Sequence, residues 1–394
     1  MINMYKRVIM IVLDSMGIGN AIDAKDYGDE GANTLLNAST FDGFKVQNLE
    51  KLGLGKLGYF PNIKPMQEMG YASKCNEYSK GKDTTVGHFE FMGVETKVPF
   101  PVFTKTGFPK ELISELESKT GHKFIGNYAS SGTVILDKLG QEHLDTGALI
   151  IYTSNDSVLQ IAAHEEKIGL EELYRVCKIA REITLKDEWK VARIIARPFI
   201  GSENAWKRTS NRHDYSLNPP HKTVLNYLED NGFDVIGVGK IPDIFNNYGI
   251  TKKVVSKSNM DGVDKTIQEL KQDFTGLLFT NLVEFDSEYG HRRDCEGYGR
   301  AIMEFDNRLP EIFSNLKTDD LLILTADHGN DPGFEGTDHT REQIPLLVYS
   351  KQFKKYGLLE ERMTFADIGS TIADNFKVRK PKIGKSFLEE LSEE

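Results

Sequence analysis

Residues 321–330 read Leu-Leu-Ile-Leu-Thr-Ala-Asp-His-Gly-Asn, and residues 337–339 add Thr-Asp-His shortly after. Four apolar residues in succession predict a strand buried on both faces, which is how the strands of a parallel sheet read. The run stops at Asp327 and His328. An acid and an imidazole at the carboxyl end of such a strand suit a divalent cation, and open α/β sheets bind ligands outside those strand ends. The expected protein is therefore an enzyme that handles an anionic substrate.

Two other segments repeat the device. Residues 281–293 read Asn-Leu-Val-Glu-Phe-Asp-Ser-Glu-Tyr-Gly-His-Arg-Arg, a strand giving way to a loop with Asp286 and, five residues on, His291. Val8 to Leu13 is an apolar run ending at Asp14, followed by Ser-Met-Gly-Ile-Gly. Three strand ends thus present Asp14, Asp286 and Asp327, in the company of His291, His328 and His339. Six ligands suffice for two metal ions with three protein ligands each and positions left open. An acid after a strand, or one histidine, is ordinary in an α/β protein; the conjunction is not. His122, His143, His164, His213 and His221 stand in polar, helical or turn contexts without such company and read as structural or surface residues.

A fourth segment carries a nucleophile candidate. Residues 81–93, Gly-Lys-Asp-Thr-Thr-Val-Gly-His-Phe-Glu-Phe-Met-Gly, predict a polar loop feeding a short helix with Asp83 or Thr84 at its cap and Gly93 at its end. A helix start favours a phosphate's charge, and a nearby dication activates an otherwise weak hydroxyl. Beside the metal constellation, Thr84 reads as a nucleophile more readily than as a simple cap.

These motifs, together with Asp14 to Gly19, residues 152–157 (Tyr-Thr-Ser-Asn-Asp-Ser), Ala196-Arg197-Pro198-Phe199, and residues 325–331 and 337–342, resemble the alkaline phosphatase superfamily, and within it the prokaryotic phosphopentomutases. The likeness runs along essentially the whole chain. It implies interconversion of α-D-ribose 1-phosphate and ribose 5-phosphate, and of the 2-deoxyribose pair, through a phosphothreonine enzyme and a bisphosphate intermediate. It also implies two Mn²⁺ ions, one on Asp14, Asp327 and His328 and the other on Asp286, His291 and His339, with a bisphosphorylated sugar as activator. The family pattern places the nucleophile directly after Lys-Asp, which selects Thr84 over Thr85. By the same resemblance Ser154, Asp156, Arg193, Arg208 and Lys240 are expected to hold the sugar and its far phosphate. The competing readings are another phosphatase, a sulfatase or a cofactor-independent phosphoglycerate mutase of the same superfamily, and a non-catalytic sugar-phosphate sensor.

With 394 residues the chain is long enough for two or three domains. Its 49 basic and 59 acidic residues give a net charge of −10, which argues against nucleic acid or an anionic membrane as partner. Cys75, Cys177 and Cys295 are odd in number and widely spaced, so neither a disulfide framework nor a thiolate zinc site is indicated. Lys6-Arg7 precede an apolar run of only six residues, shorter than a signal peptide needs, and nothing approaches the roughly twenty residues of a membrane helix. The expectation is a cytoplasmic enzyme of small-molecule pentose phosphates, with no obligate protein partner evident.

Proline clusters at Pro99-Phe100-Pro101 and Asn218-Pro219-Pro220 bracket a segment with its own α/β rhythm. Every metal and nucleophile candidate lies outside it. The expected architecture is an α/β core with a mostly parallel sheet flanked by helices, formed by residues 1–98 and 218–394, and an inserted smaller α/β cap over residues 99–217 that closes over the strand ends.

Overall fold

The computed structural model describes residues 5–154, 156–203 and 205–391. By packing, the chain divides into two compact units, Met1–Val98 with Asn218–Glu394, and Pro99–Leu217.

The first unit is built on an eight-stranded sheet in the order Lys252–Val254, Asp234–Val238, Gly276–Leu282, Arg7–Leu13, Asp320–Thr325, Ile344–Tyr349, Tyr71–Cys75, Gly357–Leu358. The first five of these run parallel. Ile344–Tyr349 lies antiparallel to both of its neighbours. Val8 to Leu13 is wholly buried, as a central strand covered by helices on both faces requires. The apolar runs read from the sequence therefore form a mixed, mostly parallel sheet. The short strands Lys252–Val254 and Gly357–Leu358 at the sheet edges have two or three residues each and carry too little pattern to be read from sequence.

Register brings the acids together. Leu13 pairs with Leu282, and Val12 with Thr325. Three adjacent parallel strands thus end level, and Asp14, Asp286 and Asp327 follow at the same carboxyl edge. At the opposite end of the strands, the buried guanidinium of Arg7 forks onto both carboxylate oxygens of Asp320, with its Nη1 donating to the Leu270 carbonyl at 2.8 Å.

The second unit has its own sheet, in the order Phe124–Ala129, Leu149–Thr153, Val158–His164, Arg193–Ile200, Lys207–Arg208, with His213–Ser216 also pairing to Arg193–Ile200. Two apolar clusters cover it. One contains Leu112, Leu116, Leu173, Val176 and Ala180 of the helices Lys110–Thr120 and Leu170–Ile183. The other packs Ile135 and Leu136 of the helix Gly132–Thr146 on Ile150 and Phe199. Among the described residues no helix is long and apolar enough to cross a membrane.

Candidate metal and phosphoryl-transfer site

Asp14 directly follows its strand, and the next residue, Ser15, adopts φ 69°, so the chain turns sharply at the strand end. That turn aims the Ser15 amide at Asp327 Oδ1, 3.0 Å away. Asn281 Nδ2 donates to Asp14 Oδ2 at 2.9 Å. The remaining oxygens, Asp14 Oδ1 and Asp327 Oδ2, are buried without a hydrogen-bond partner among the described residues. His328 Nε2 stands 3.4 Å from the first and 3.5 Å from the second.

The segment with Asp286 and His291 departs from the sequence expectation. It is not a loop but a π-helical turn, Phe285–Gly290, in which the His291 amide donates to the Asp286 carbonyl at 3.0 Å. A π turn closes over five residues, so it stacks side chains at i and i+5, and single π turns of this kind are frequent at functional sites. His291 Nε2 consequently lies 3.2 Å from Asp286 Oδ2. His339 Nε2 approaches Asp286 Oδ1 to 3.4 Å and His291 Nε2 to 3.1 Å. Asn330 Nδ2 donates to Asp286 Oδ1 at 2.7 Å.

Ring orientations are set from behind. His328 Nδ1 faces the Gly329 carbonyl at 3.0 Å and His291 Nδ1 the Thr337 carbonyl at 3.2 Å. An imidazole that donates from Nδ1 keeps its Nε2 lone pair free, the arrangement of metal-bound histidine. His328 is common to two converging groups, Asp14 with Asp327 and Asp286 with His339. Its ring centroid is 4.1 Å from that of His339.

Charge is unevenly settled here. Burial, then the neighbouring Asp327 charge, push the Asp14 carboxyl up. Burial opposes ionisation of Asp327 and Asp286 too, but His328 and His88 hold the former below the usual range, and His291 and His339 hold the latter well below it. Burial disfavours a charged His328, yet Asp327 and Asp14 raise it well above an ordinary imidazole. Three buried carboxylates, with Asp14 Oδ1 and Asp327 Oδ2 faced by imidazole nitrogens at 3.1–3.5 Å, fit a divalent cation by donor type and by charge.

Thr84 opens the helix Thr84–Phe91, and Asp83 caps it by accepting from the Thr85 and Val86 amides at 3.0 and 3.2 Å. Thr84 is thus released from capping. Its Oγ1 lies 3.2 Å from His328 Nε2, whereas Thr85 is buried. The helix can come this close because residue 87 is glycine: a Cβ there would stand 2.1 Å from the Asp327 carbonyl oxygen.

His88 has a place that the sequence reading left unassigned. One turn after Thr84, it is fully buried, with Nδ1 2.9 Å from the Thr84 carbonyl and 3.1 Å from Asp327 Oδ2. One N–H cannot serve both acceptors well, and the shorter contact is to the Thr84 carbonyl. The i, i+4 spacing from Thr84 was the available signal.

The residues expected to hold substrate fall in both units. In the second, Arg193 Nη2 is 3.5 Å from Asp156 Oδ2, and Ser154 accepts from Thr104 Oγ1 through its backbone carbonyl at 3.1 Å. Asn155, within the same motif, lies outside the described residues. Arg208 pairs opposite Phe199, six residues along the strand from Arg193, so the two backbones are separated by about 20 Å. Arg197 stands between them on that strand, donating to Gln160 Oε1 at 3.0 Å; burial, then Arg212, push it down to about 10. In the first unit Lys240 precedes the helix Ile241–Ile244.

A family model described as the metalloenzyme superfamily matches residues 6–380. The chain belongs to that superfamily, whose members share the alkaline phosphatase-like core described above. A phosphoglycerate mutase from Leishmania mexicana has the same fold, at 11% identity and a TM-score of 0.52, covering 98% of this chain and 97% of that one. The PH0037 protein from Pyrococcus horikoshii aligns over 97% of this chain and 100% of its own at 15% identity and a TM-score of 0.49.

Proposed function

We propose that this protein is a phosphopentomutase, moving a phosphoryl group between the 1- and 5-oxygens of ribose and 2-deoxyribose phosphates by way of Thr84. The observation that carries the reading is the Thr84 hydroxyl, first in its helix and 3.2 Å from His328 Nε2, at the point where three strand-end carboxylates converge. Asp14, Asp327 and His328, and Asp286, His291 and His339, are the residues that would hold two divalent cations, for which Mn²⁺ is proposed from the family resemblance. Such cations neutralise phosphate charge and lower the pKa of a bound hydroxyl.

The Thr85 and Val86 amides are taken by Asp83, so the charge of a phosphoryl group on Thr84 would be met by the cations and not by the helix cap. The rest is work for the chain's own groups. Phosphothreonine passes its phosphoryl group to the free hydroxyl of a sugar monophosphate. The Oγ–P bond breaks as an O–P bond to the sugar forms, and the proton that the sugar hydroxyl gives up is matched by the one that the departing Thr84 oxygen takes. The bisphosphate returns its other phosphoryl group to Thr84. Ser154, Asp156, Arg193, Arg208 and Lys240 are assigned to the sugar and its far phosphate, and a bisphosphorylated sugar charges the resting enzyme.

The phosphoglycerate mutase of shared fold supports a second reading, transfer between the oxygens of a phosphoglycerate. Turnover of ribose 1-phosphate, ribose 5-phosphate, 3-phosphoglycerate and p-nitrophenyl phosphate, measured with Mn²⁺ on one preparation, separates the two. Pentose phosphate interconversion far above the other rates is expected. Faster turnover of 3-phosphoglycerate would overturn the assignment.

A further inference from the structure

The segment with His339 continues into Arg341, a residue with no part in the assignments above. Its side chain is 1% exposed, among the largest fully buried side chains of the described residues. Nε and Nη2 donate to the two oxygens of Asp23, at 2.9 and 3.1 Å. Nη1 binds Glu77 Oε2 and donates to the Gly81 carbonyl at 2.6 Å, while Nη2 donates to the Glu77 carbonyl at 2.6 Å. The plane also lies over the Tyr27 ring, 4.9 Å from its centroid.

Two of those acceptors are backbone carbonyls of one loop, residues 77–81, which runs directly into Lys82, Asp83 and Thr84. The backbone amide of Arg341 donates to Asp29 Oδ2 at 2.8 Å, and Lys82 Nζ reaches the same carboxylate at 2.9 Å. Lys82 Nζ also lies 3.4 Å from Asp338 Oδ2, beside His339. One short stretch, residues 338–341, therefore carries a candidate metal ligand and grips the chain on the approach to the candidate nucleophile.

A planar fork with five donors suits this task; a lysine ammonium, a point charge, cannot span two carbonyls and two carboxylates at once. Either carboxylate alone, Asp23 or Glu77, would balance the charge. The two bonds to carbonyls add nothing to charge balance, but they fix where the backbone runs. Tethering of this kind matters to rate because a misplacement of about 1 Å costs on the order of 100-fold.

We infer that Arg341 is a positioning residue that sets the distance of Thr84 from the His328 and His339 side of the site by clamping the Glu77 and Gly81 carbonyls. The inference rests on Thr84 being the nucleophile. The test compares Arg341→Lys and Arg341→Ala with the unaltered enzyme, each loaded with Mn²⁺. Both variants should keep their metal content and lower kcat about 100-fold, with KM within about threefold. Backbone amide exchange should quicken in residues 77–86 and stay unchanged in the central strands. Free guanidinium at millimolar concentration should restore much of the lost rate to Arg341→Ala, and methylammonium should not.

Wild-type kcat in either folded variant overturns the inference. So does faster exchange spread through the sheet with metal lost in parallel, or failure of both variants to fold, since each makes Arg341 a determinant of the fold instead of a clamp. If Thr84→Ala kept full activity, the nucleophile assignment would fall while the exchange result on residues 77–86 stood apart from it.

Discussion

Gly87→Ala probes whether the close approach of the Thr84 helix to Asp327 sets the working distance of the site. The added methyl would lie 2.1 Å from the Asp327 carbonyl oxygen, 2.9 Å from its carbon and 3.2 Å from its Cβ, and ordinary contact begins at 3.4 Å. Backbone atoms of a central strand end do not give way, so the helix must retreat, by roughly 1.3 Å if the 2.1 Å gap opens to 3.4 Å. Thr84 is one turn back on the same helix and moves with it, away from a partner now at 3.2 Å. A displacement of that size costs on the order of 100-fold in rate, about 2.7 kcal/mol in the barrier. Overpacking costs about 1–3 kcal/mol in stability, which a domain with a core of this size tolerates. The expected result is a folded protein, judged by its thermal transition, whose phosphoryl transfer in a single turnover is about 100-fold slower. Gly357→Ala, with nothing within 4 Å of the new Cβ, should be silent. Transfer at the normal rate in folded Gly87→Ala would show that this contact does not hold Thr84 in place.

Thr84→Ala should abolish transfer and the phosphothreonine seen by mass spectrometry, whereas Thr85→Ala should keep both; the reverse pattern moves the nucleophile. His339→Ala should lose bound Mn²⁺ and turnover together, and His122→Ala, whose ring meets Glu172 at 2.7 Å, should lose neither; full metal content in the first variant removes His339 from the site. Asp320→Asn leaves the buried Arg7 guanidinium without its forked carboxylate, and should cost about 3–5 kcal/mol by denaturant titration, with a loss below about 1 kcal/mol refuting the importance of the pair. Arg193→Ala and Lys240→Ala should lower pentose phosphate turnover far more than hydrolysis of p-nitrophenyl phosphate; equal losses would exclude both from recognition of the sugar or its far phosphate.

The apolar runs that end at Asp14, Asp327 and just short of Asp286 could be read directly, because a strand buried on both faces leaves an unbroken signature and the first polar residue marks its end. Their order in the sheet could not. That Arg7–Leu13 lies between Gly276–Leu282 and Asp320–Thr325 depends on contacts between residues more than 250 positions apart, and no local pattern encodes it. The five-residue gap from Asp286 to His291 was visible, but it read as a loop because a π turn has no sequence period distinct from the helix around it. His88 and Arg341 were harder still. Both lie in motifs whose residues were legible, and both act through backbone carbonyls, which a sequence shows only as other residues' names.

The way the three carboxylates are held explains why a cation belongs among them. Asp14 takes one hydrogen bond from the Asn281 amide, Asp327 one from the Ser15 backbone and Asp286 one from the Asn330 amide. Each of these donors is neutral. A lysine or arginine in the same position would orient the carboxylate equally well but would also cancel its charge and remove the reason for metal to bind. Amide donors fix the carboxylate plane through one oxygen and leave the charge intact. Two of the three acids thereby keep a buried oxygen that is faced by imidazole nitrogens at 3.1–3.5 Å and held by no amide, a place that favours a cation. Near the site, Lys82 is engaged by Asp29 and Asp338 and Arg341 by Asp23 and Glu77, acids that are not among the metal candidates, and Arg293 donates to Asn330 Oδ1 at 2.6 Å. These three lysine and arginine side chains are thus held by partners other than Asp14, Asp286 and Asp327. Replacing Asn281 or Asn330 by a cationic residue should therefore lower metal affinity more than replacing either by alanine, and equal losses of Mn²⁺ binding in the two kinds of variant would refute that account.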